Sequence, residues 1–153
     1  NDWLNNQLQR AEFMPFAPAT LAEHAHLYFK DIEKSRNASN YMTITFDCTE
    51  RMLNEAPAAV HVDGTARPQI VSRERYPEFH KILSAYHELT GLSNIINTSF
   101  NMHEEPIVCT ASDAVRAFQD SKLPFMALGN YLVEGAETTS SSVEHKGLLS
   151  EKE

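Results

Sequence analysis

With 153 residues, 42% of them hydrophobic, the chain suits one domain with a sizeable core, burying roughly 70% of its unfolded surface by the usual size scaling. Its formal net charge of −8 argues against nucleic acid or an anionic membrane as the main partner, because both select a basic face. No apolar run approaches the roughly 20 residues that span a bilayer and no secretory signal opens the chain, so a cytoplasmic protein is expected.

In chain order, Asn1–Gln9 reads as a helix with Trp3, Leu4 and Leu8 on one side and no capping residue before it. Phe13-Met14-Pro15-Phe16-Ala17-Pro18 is extended, since each proline fixes its own φ and pushes its predecessor toward β. Ala19–His26 is expected to be a short helix and Lys30–Asn40 a polar loop. Tyr41–Phe46, Ala59–Val62 and Gln69–Val71 read as strands. Pro77–Leu89 is the clearest helix: Phe79, Ile82, Leu83, Tyr86 and Leu89 recur at helical spacing, with Pro77 in the first turn and Gly91 at the end. Asn94–Asn97 is a strand, and Ser112–Ser121 a helix capped by Thr110 or Ser112 with Ala114, Val115 and Phe118 inward. Phe125–Leu128 and Tyr131–Val133 suggest a hairpin around Gly129-Asn130. Helices and strands mix without strict alternation, so the fold expected over 1–136 is α/β with a mixed, twisted sheet flanked by helices. Residues 137–153 are rich in Ser, Thr, Glu and Lys and are expected to be a disordered tail. Both ends read as cut from something larger.

Cys48 and Cys109 stand apart with no CxxC, and are expected to be buried, reduced thiols. His24 and His26 are two apart and do not share a helix face, so no metal site is expected. No P-loop or GxGxxG occurs.

Two segments are dense in polar side chains directly against apolar runs: His61-Val62-Asp63-Gly64-Thr65-Ala66-Arg67-Pro68-Gln69 and Asn97-Thr98-Ser99-Phe100-Asn101. Loops at the ends of rigid strands can fix several donors around one point. An arginine, a serine and two asparagines, with no obvious nucleophile–base pair, suit a phosphate or carbonyl oxygen better than acyl-enzyme chemistry. Each residue also has a plainer reading. Arg67 can be an ordinary surface ion-pair partner. Ser99 and Asn101 are common turn residues, Asn97 and Thr98 can satisfy backbone at a strand end, and His61 can be a half-buried ring.

These segments occur in order with Arg10-Ala11-Glu12-Phe13-Met14-Pro15-Phe16-Ala17-Pro18, Glu105-Pro106-Ile107-Val108 and Ser112-Asp113-Ala114. Together they resemble the C-terminal domain of the nodulation-type (NodU/CmcH/TobZ) carbamoyltransferases over about residues 1–134. The resemblance implies a YrdC-like α/β fold that binds carbamoyl phosphate and ATP, with Mg²⁺ on the triphosphate, and makes carbamoyl-adenylate. It implies a partner, an N-terminal actin-like/sugar-kinase-like domain of the same polypeptide, which transfers the carbamoyl group to an acceptor hydroxyl. It assigns Arg67, Ser99 and His61 to catalysis, and Arg10, Asp63, Thr65, Gln69, Asn97, Thr98 and Asn101 to substrate or nucleotide binding. Arg67 and Arg10 offset phosphate charge; Ser99, Asn101 and His61 orient the carbamoyl end; Asp63 orients Arg67 or caps the turn; Gln69 reads the adenine or the carbamoyl amide. YrdC-type domains often carry Lys-x-Arg where this chain has Leu8-Gln9-Arg10, so in that alignment the lysine is missing. A non-catalytic nucleotide-binding or regulatory module is the alternative; the charge speaks against an RNA-binding relative.

Overall fold

The computed structural model describes residues 2–7 and 16–135, which fall into two compact units. The first runs from residue 16 to 99; the second takes in α1 (Asp2–Gln7) and residues 100–135. Arg10, the segment through Pro15 and the expected tail lie outside the described residues.

The first unit is organised by β1 (Ala17–Leu21), all five residues of which are buried. The sequence suggests a helix from Ala19, but a segment of one proline, two small alanines and a β-branched threonine serves better as the middle strand of a sheet. The helix forms only after a 3₁₀ turn at Ala22–His24, as α2 (Ala25–Tyr28). The expected polar loop from Lys30 also winds, through a second 3₁₀ turn and α3 (Arg36–Ser39), because Ile32 is drawn into the core. The strand expected over Tyr41–Phe46 shrinks to β2 (Phe46–Asp47): Met42 takes a left-handed φ of 54°, which an extended strand cannot include. After α4 (Glu50–Glu55), whose N-cap hydroxyl on Thr49 accepts the Met52 N–H, the strand expected at Ala59–Val62 is likewise absent. A 3₁₀ turn at Pro57–Ala59 and a bend through Gly64 (φ 80°) occupy that stretch, and β3 (Thr65–Ala66) pairs antiparallel with β2 instead.

β4 (Gln69–Val71), α5 (Pro77–Thr90) and β5 (Asn94–Asn97) form where the sequence places them. Gly91 ends α5 at φ 75°, donating its N–H to the His87 carbonyl at 2.7 Å. The three-stranded sheet runs β4-β1-β5, with β4 parallel and β5 antiparallel to β1. One face packs Leu21 and Val71 on Leu83 of α5; from the other, Ile70 joins Tyr28, Phe29, Phe46 and Met52.

In the second unit, α6 (Ala111–Ser121) starts with a full capping box, Thr110 accepting the Asp113 N–H and Asp113 accepting the Thr110 N–H. Its buried stripe is Ala114, Ala117, Phe118 and Ser121, the i, i+3, i+4, i+7 pattern. Val115, expected inward, falls beside that stripe and is exposed. The stripe packs on the hairpin of β6 (Phe125–Leu128) and β7 (Tyr131–Glu134), whose two-residue turn uses Gly129 at φ 58°. The chain is therefore mixed α/β. Cys48 is buried, and its thiol is pushed up to about 11 by burial, then by Asp47 and Asp63. Cys109 is exposed rather than buried. No helix of the described residues is long and apolar enough to cross a membrane.

Where β1 ends and β5 begins, a polar cluster closes the sheet. Ser93 Oγ lies 2.7 Å from His24 Nδ1 and 3.0 Å from His87 Nδ1, with the two rings 4.6 Å apart. A hydroxyl has one proton, so at least one of the two rings must meet it with an Nδ1–H. Burial, and next the neighbouring His87, hold the His24 pKa below its ordinary value of 6.5. A folded-state pKa below the unfolded one means that the unfolded chain takes up the proton first. The stability His24 contributes is thus complete above about 6.5 and is lost as pH falls through the lower folded value. Urea unfolding at successive pH values should show this decline in the wild type and a flatter profile in His24→Asn. Ser93→Ala should cost about 1–3 kcal/mol at pH 8, because it leaves imidazole nitrogens unpaired.

Candidate functional site

The sheet topology decides where the two polar segments meet. Because β5 runs antiparallel to β1 and β4 runs parallel to it, the chain enters β4 and leaves β5 at the same end of the sheet. Arg67 precedes β4 by two residues and Ser99 follows β5 by two, so both emerge at that end. The register sharpens the placement. Ala17 sits opposite Asn97 and Ala19 opposite Gln69, all on one face of the sheet. With only methyl groups on the middle strand, the two long amides reach over it, and Asn97 Nδ2 donates to Gln69 Oε1 at 2.6 Å.

Met42 joins Arg67 to this pair. Arg67 Nη1 donates to the Met42 carbonyl at 3.4 Å, and Met42 Sδ lies 3.8 Å from Asn97 Nδ2. The arginine bond is longer than the 2.7–3.2 Å of a good N–H···O contact. It is the only bond that the exposed guanidinium makes among the described residues at this site, so it orients the group weakly. Arg67, Gln69 and Asn97 thus belong to one cluster, with Ser99 exposed just beyond it. Thr98, half-buried, is held by an interaction of its own. Asn101 belongs to the second unit, where its Nδ2 donates to the Glu105 carbonyl at 2.7 Å and ties its own loop. Arg10 lies outside the described residues.

The His61–Thr65 turn is a second polar knot. The Asp63 carboxylate accepts both the Thr65 hydroxyl, at 2.7 Å, and the Thr65 N–H, at 3.0 Å. These bonds, side-chain first, hold the Asp63 pKa below its ordinary value. His61 Nδ1 lies 3.2 Å from Thr65 Oγ1, and its Nε2 is buried without a partner among the described residues. Backbone bonds close the turn, His61 N–H to the Thr65 carbonyl and Gly64 N–H to the His61 carbonyl. The partners of Asp63 here are the Thr65 groups rather than Arg67, so it caps the turn. Thr65, Arg67 and Gln69 alternate with the buried Ala66 and Pro68, which carries the two knots along one extended segment.

A cavity of about 690 Å³ opens elsewhere on the first unit, lined by Glu23, Glu33, Glu74 and Arg75 among others. Three carboxylates against one guanidinium repel a phosphate, and none of the sequence-predicted residues faces it. Sequence reasoning missed Met42 and the His24–Ser93–His87 cluster. Neither leaves a spacing signal: the first depends on a left-handed backbone, the second on a fold that joins residues 63 positions apart.

Comparison with known proteins adds to this geometry. The family profile described as "Carbamoyltransferase C-terminus" matches residues 1–135. An uncharacterized protein of Methanocaldococcus jannaschii is 35% identical over 130 residues, covering 85% of this chain and 25% of the relative. Nodulation protein NolO of Bradyrhizobium diazoefficiens is 37% identical over 125 residues, covering 82% and 23%. Nodulation protein U of Rhizobium tropici is 34% identical over 102 residues, covering 67% and 17%. The chain spans about a quarter or less of the length of these relatives. If the Asn97–Gln69 bond depends on small residues beneath it, Ala19→Leu should break it and cost about 1–3 kcal/mol by overpacking. Denaturant melts, with the Asn97 side-chain amide resonances, would check both effects.

Proposed function

Because this chain belongs to the carbamoyltransferase C-terminus family, we propose that it binds carbamoyl phosphate and ATP and forms carbamoyl-adenylate, in the cytoplasm. An N-terminal actin-like/sugar-kinase-like domain of the same polypeptide would then pass the carbamoyl group to an acceptor hydroxyl. The observation that supports this reading is the shared sheet end. An exposed arginine, a serine hydroxyl and a bonded pair of amides emerge there from two strands.

In this scheme water first hydrolyses carbamoyl phosphate to carbamate and phosphate. A carbamate oxygen then attacks the α-phosphorus of ATP, forming the mixed anhydride and expelling pyrophosphate. Positioning and charge stabilisation are the protein's share of such chemistry. The Arg67 guanidinium grips phosphate oxygens bidentately, which its single long bond leaves it free to turn and do. Ser99 donates its hydroxyl to the carbamoyl or phosphate oxygen. Gln69 and Asn97, which bond each other in the unliganded chain, have amide groups left for the carbamoyl amide or the adenine. Mg²⁺ would ride on the ATP triphosphate and offset its charge.

Carbamoyl-phosphate-dependent exchange of pyrophosphate into ATP, assayed in the full polypeptide, tests the proposal. Arg67→Ala should lower exchange about a hundredfold, the effect of losing roughly 3 kcal/mol of charge-assisted bonding, and Arg67→Lys should recover only part. No exchange in the wild type, or an Arg67→Ala variant indistinguishable from it, would remove the proposal. Calorimetry showing both ligands bound without turnover would support the non-catalytic module instead.

A further inference from the structure

From the hydrogen bonds of the His61–Thr65 turn we infer that His61 is a fixed acceptor that reads an amide N–H of the ligand, separating a carbamoyl from an acetyl group. The inference rests on the carbamoyl phosphate reading given above. Its starting point is the single proton of the Thr65 hydroxyl. That proton goes to Asp63, 2.7 Å away, and the Asp63 carboxylate, its pKa lowered, has no proton to return. Thr65 Oγ1 has only lone pairs left for His61, so the 3.2 Å contact is an Nδ1–H donating to the hydroxyl oxygen. The ring is thereby set in the Nδ1–H tautomer, and Nε2 carries a lone pair. The arrangement has the logic of a carboxylate orienting an imidazole, with a threonine hydroxyl between them.

An unpaired buried acceptor forgoes about 1–3 kcal/mol, and such exceptions call for an explanation. Nε2 is one of three side-chain polar atoms left so among the described residues. A ligand N–H placed on it recovers that energy, whereas a methyl group does not. The lone pair rules out the opposite role, donation to a carbamoyl oxygen. His61 stands at the far end of the segment that holds Arg67; Thr65 and Arg67 are two residues apart on it, roughly 7 Å in extended chain. The phosphate end of a small ligand would therefore face Arg67 and the amide end His61. Since Nε2 is closed to solvent in the unliganded chain, engagement includes an opening of its cover.

Two measurements test this, one of which needs no variant. In ¹⁵N spectra of the histidine-labelled chain, the His61 Nε2 should resonate as an unprotonated nitrogen. It should shift on adding carbamoyl phosphate but not acetyl phosphate. Binding constants for the two acyl phosphates supply the second readout. Their ratio should fall about tenfold in His61→Phe, the size of one neutral hydrogen bond, and comparably in Thr65→Val, which frees the tautomer. Thr65→Ser, which keeps the relay, should hold the wild-type ratio. A purely structural role would weaken both ligands equally and leave the ratio alone. A protonated Nε2, or an unchanged ratio in His61→Phe with carbamoyl phosphate still bound, overturns the inference alone. Failure of the wild type to bind carbamoyl phosphate overturns it together with the proposed function.

Discussion

The bond from Asn97 to Gln69 across β1 is the constraint around which the first unit's candidate site is arranged. It spans two strands that are not neighbours, and it exists because the strand between them offers only the methyl groups of Ala17 and Ala19 on that face. The small residues are therefore part of the site without being polar. They also account for a central strand of low side-chain volume, since the amides above fill the space that larger residues would take. Mixed strand direction completes the arrangement. Were β5 parallel to β1, its exit would lie at the opposite end from Arg67, and the polar segments would be separated by the length of the sheet.

The two ends of this sheet differ in how firmly their polar side chains are held. At the end where β1 stops, polar groups are closely bonded: Thr20 donates to Asn94 Oδ1 at 2.5 Å, and Ser93 serves both His24 and His87, while Asn94 Nδ2 is buried with no partner among the described residues. Nearby, Tyr28 donates to Glu55, which Arg51 also holds. Such networks fix a fold, because every member would be orphaned by a shift of its neighbours. At the other end the Asn97–Gln69 bond is as short, but the Arg67 guanidinium is exposed and its bond to the Met42 carbonyl is 3.4 Å long.

The sequence was legible where local chemistry and tertiary demands agree. Pro77 and Gly91 bracket α5, Thr110 and Asp113 start α6, and Gly129-Asn130 turns the last hairpin, each for a reason contained within a few residues. It was illegible where burial overrode local preference. The stretch from Ala19 reads as a helix because Ala, Leu and Glu favour one, yet its first three residues are needed between two strands. Tyr41–Phe46 looks like a strand by composition, but Met42 must turn left-handed for its carbonyl to meet Arg67. For the site, sequence patterns brought attention to Arg67, Gln69 and Asn97, which the fold assembles. They gave no means of seeing that the Asn101 amide is spent on its own loop, or that Thr65 and Asp63 set the state of His61.

In a chain as acidic as this one, distance decides which charges act on the exposed Arg67. At physiological ionic strength, charges more than about 8 Å away are largely screened, so most of the net −8 is not felt at the sheet end. What matters there is the immediate set: one guanidinium, neutral amides and hydroxyls, the Asp63 carboxylate, which accepts from Thr65, and Asp47, which β2 sets opposite Thr65. The acidic cavity instead sets Glu23, Glu33 and Glu74 against the single guanidinium of Arg75, so its volume does not make it a place where an anion would be held.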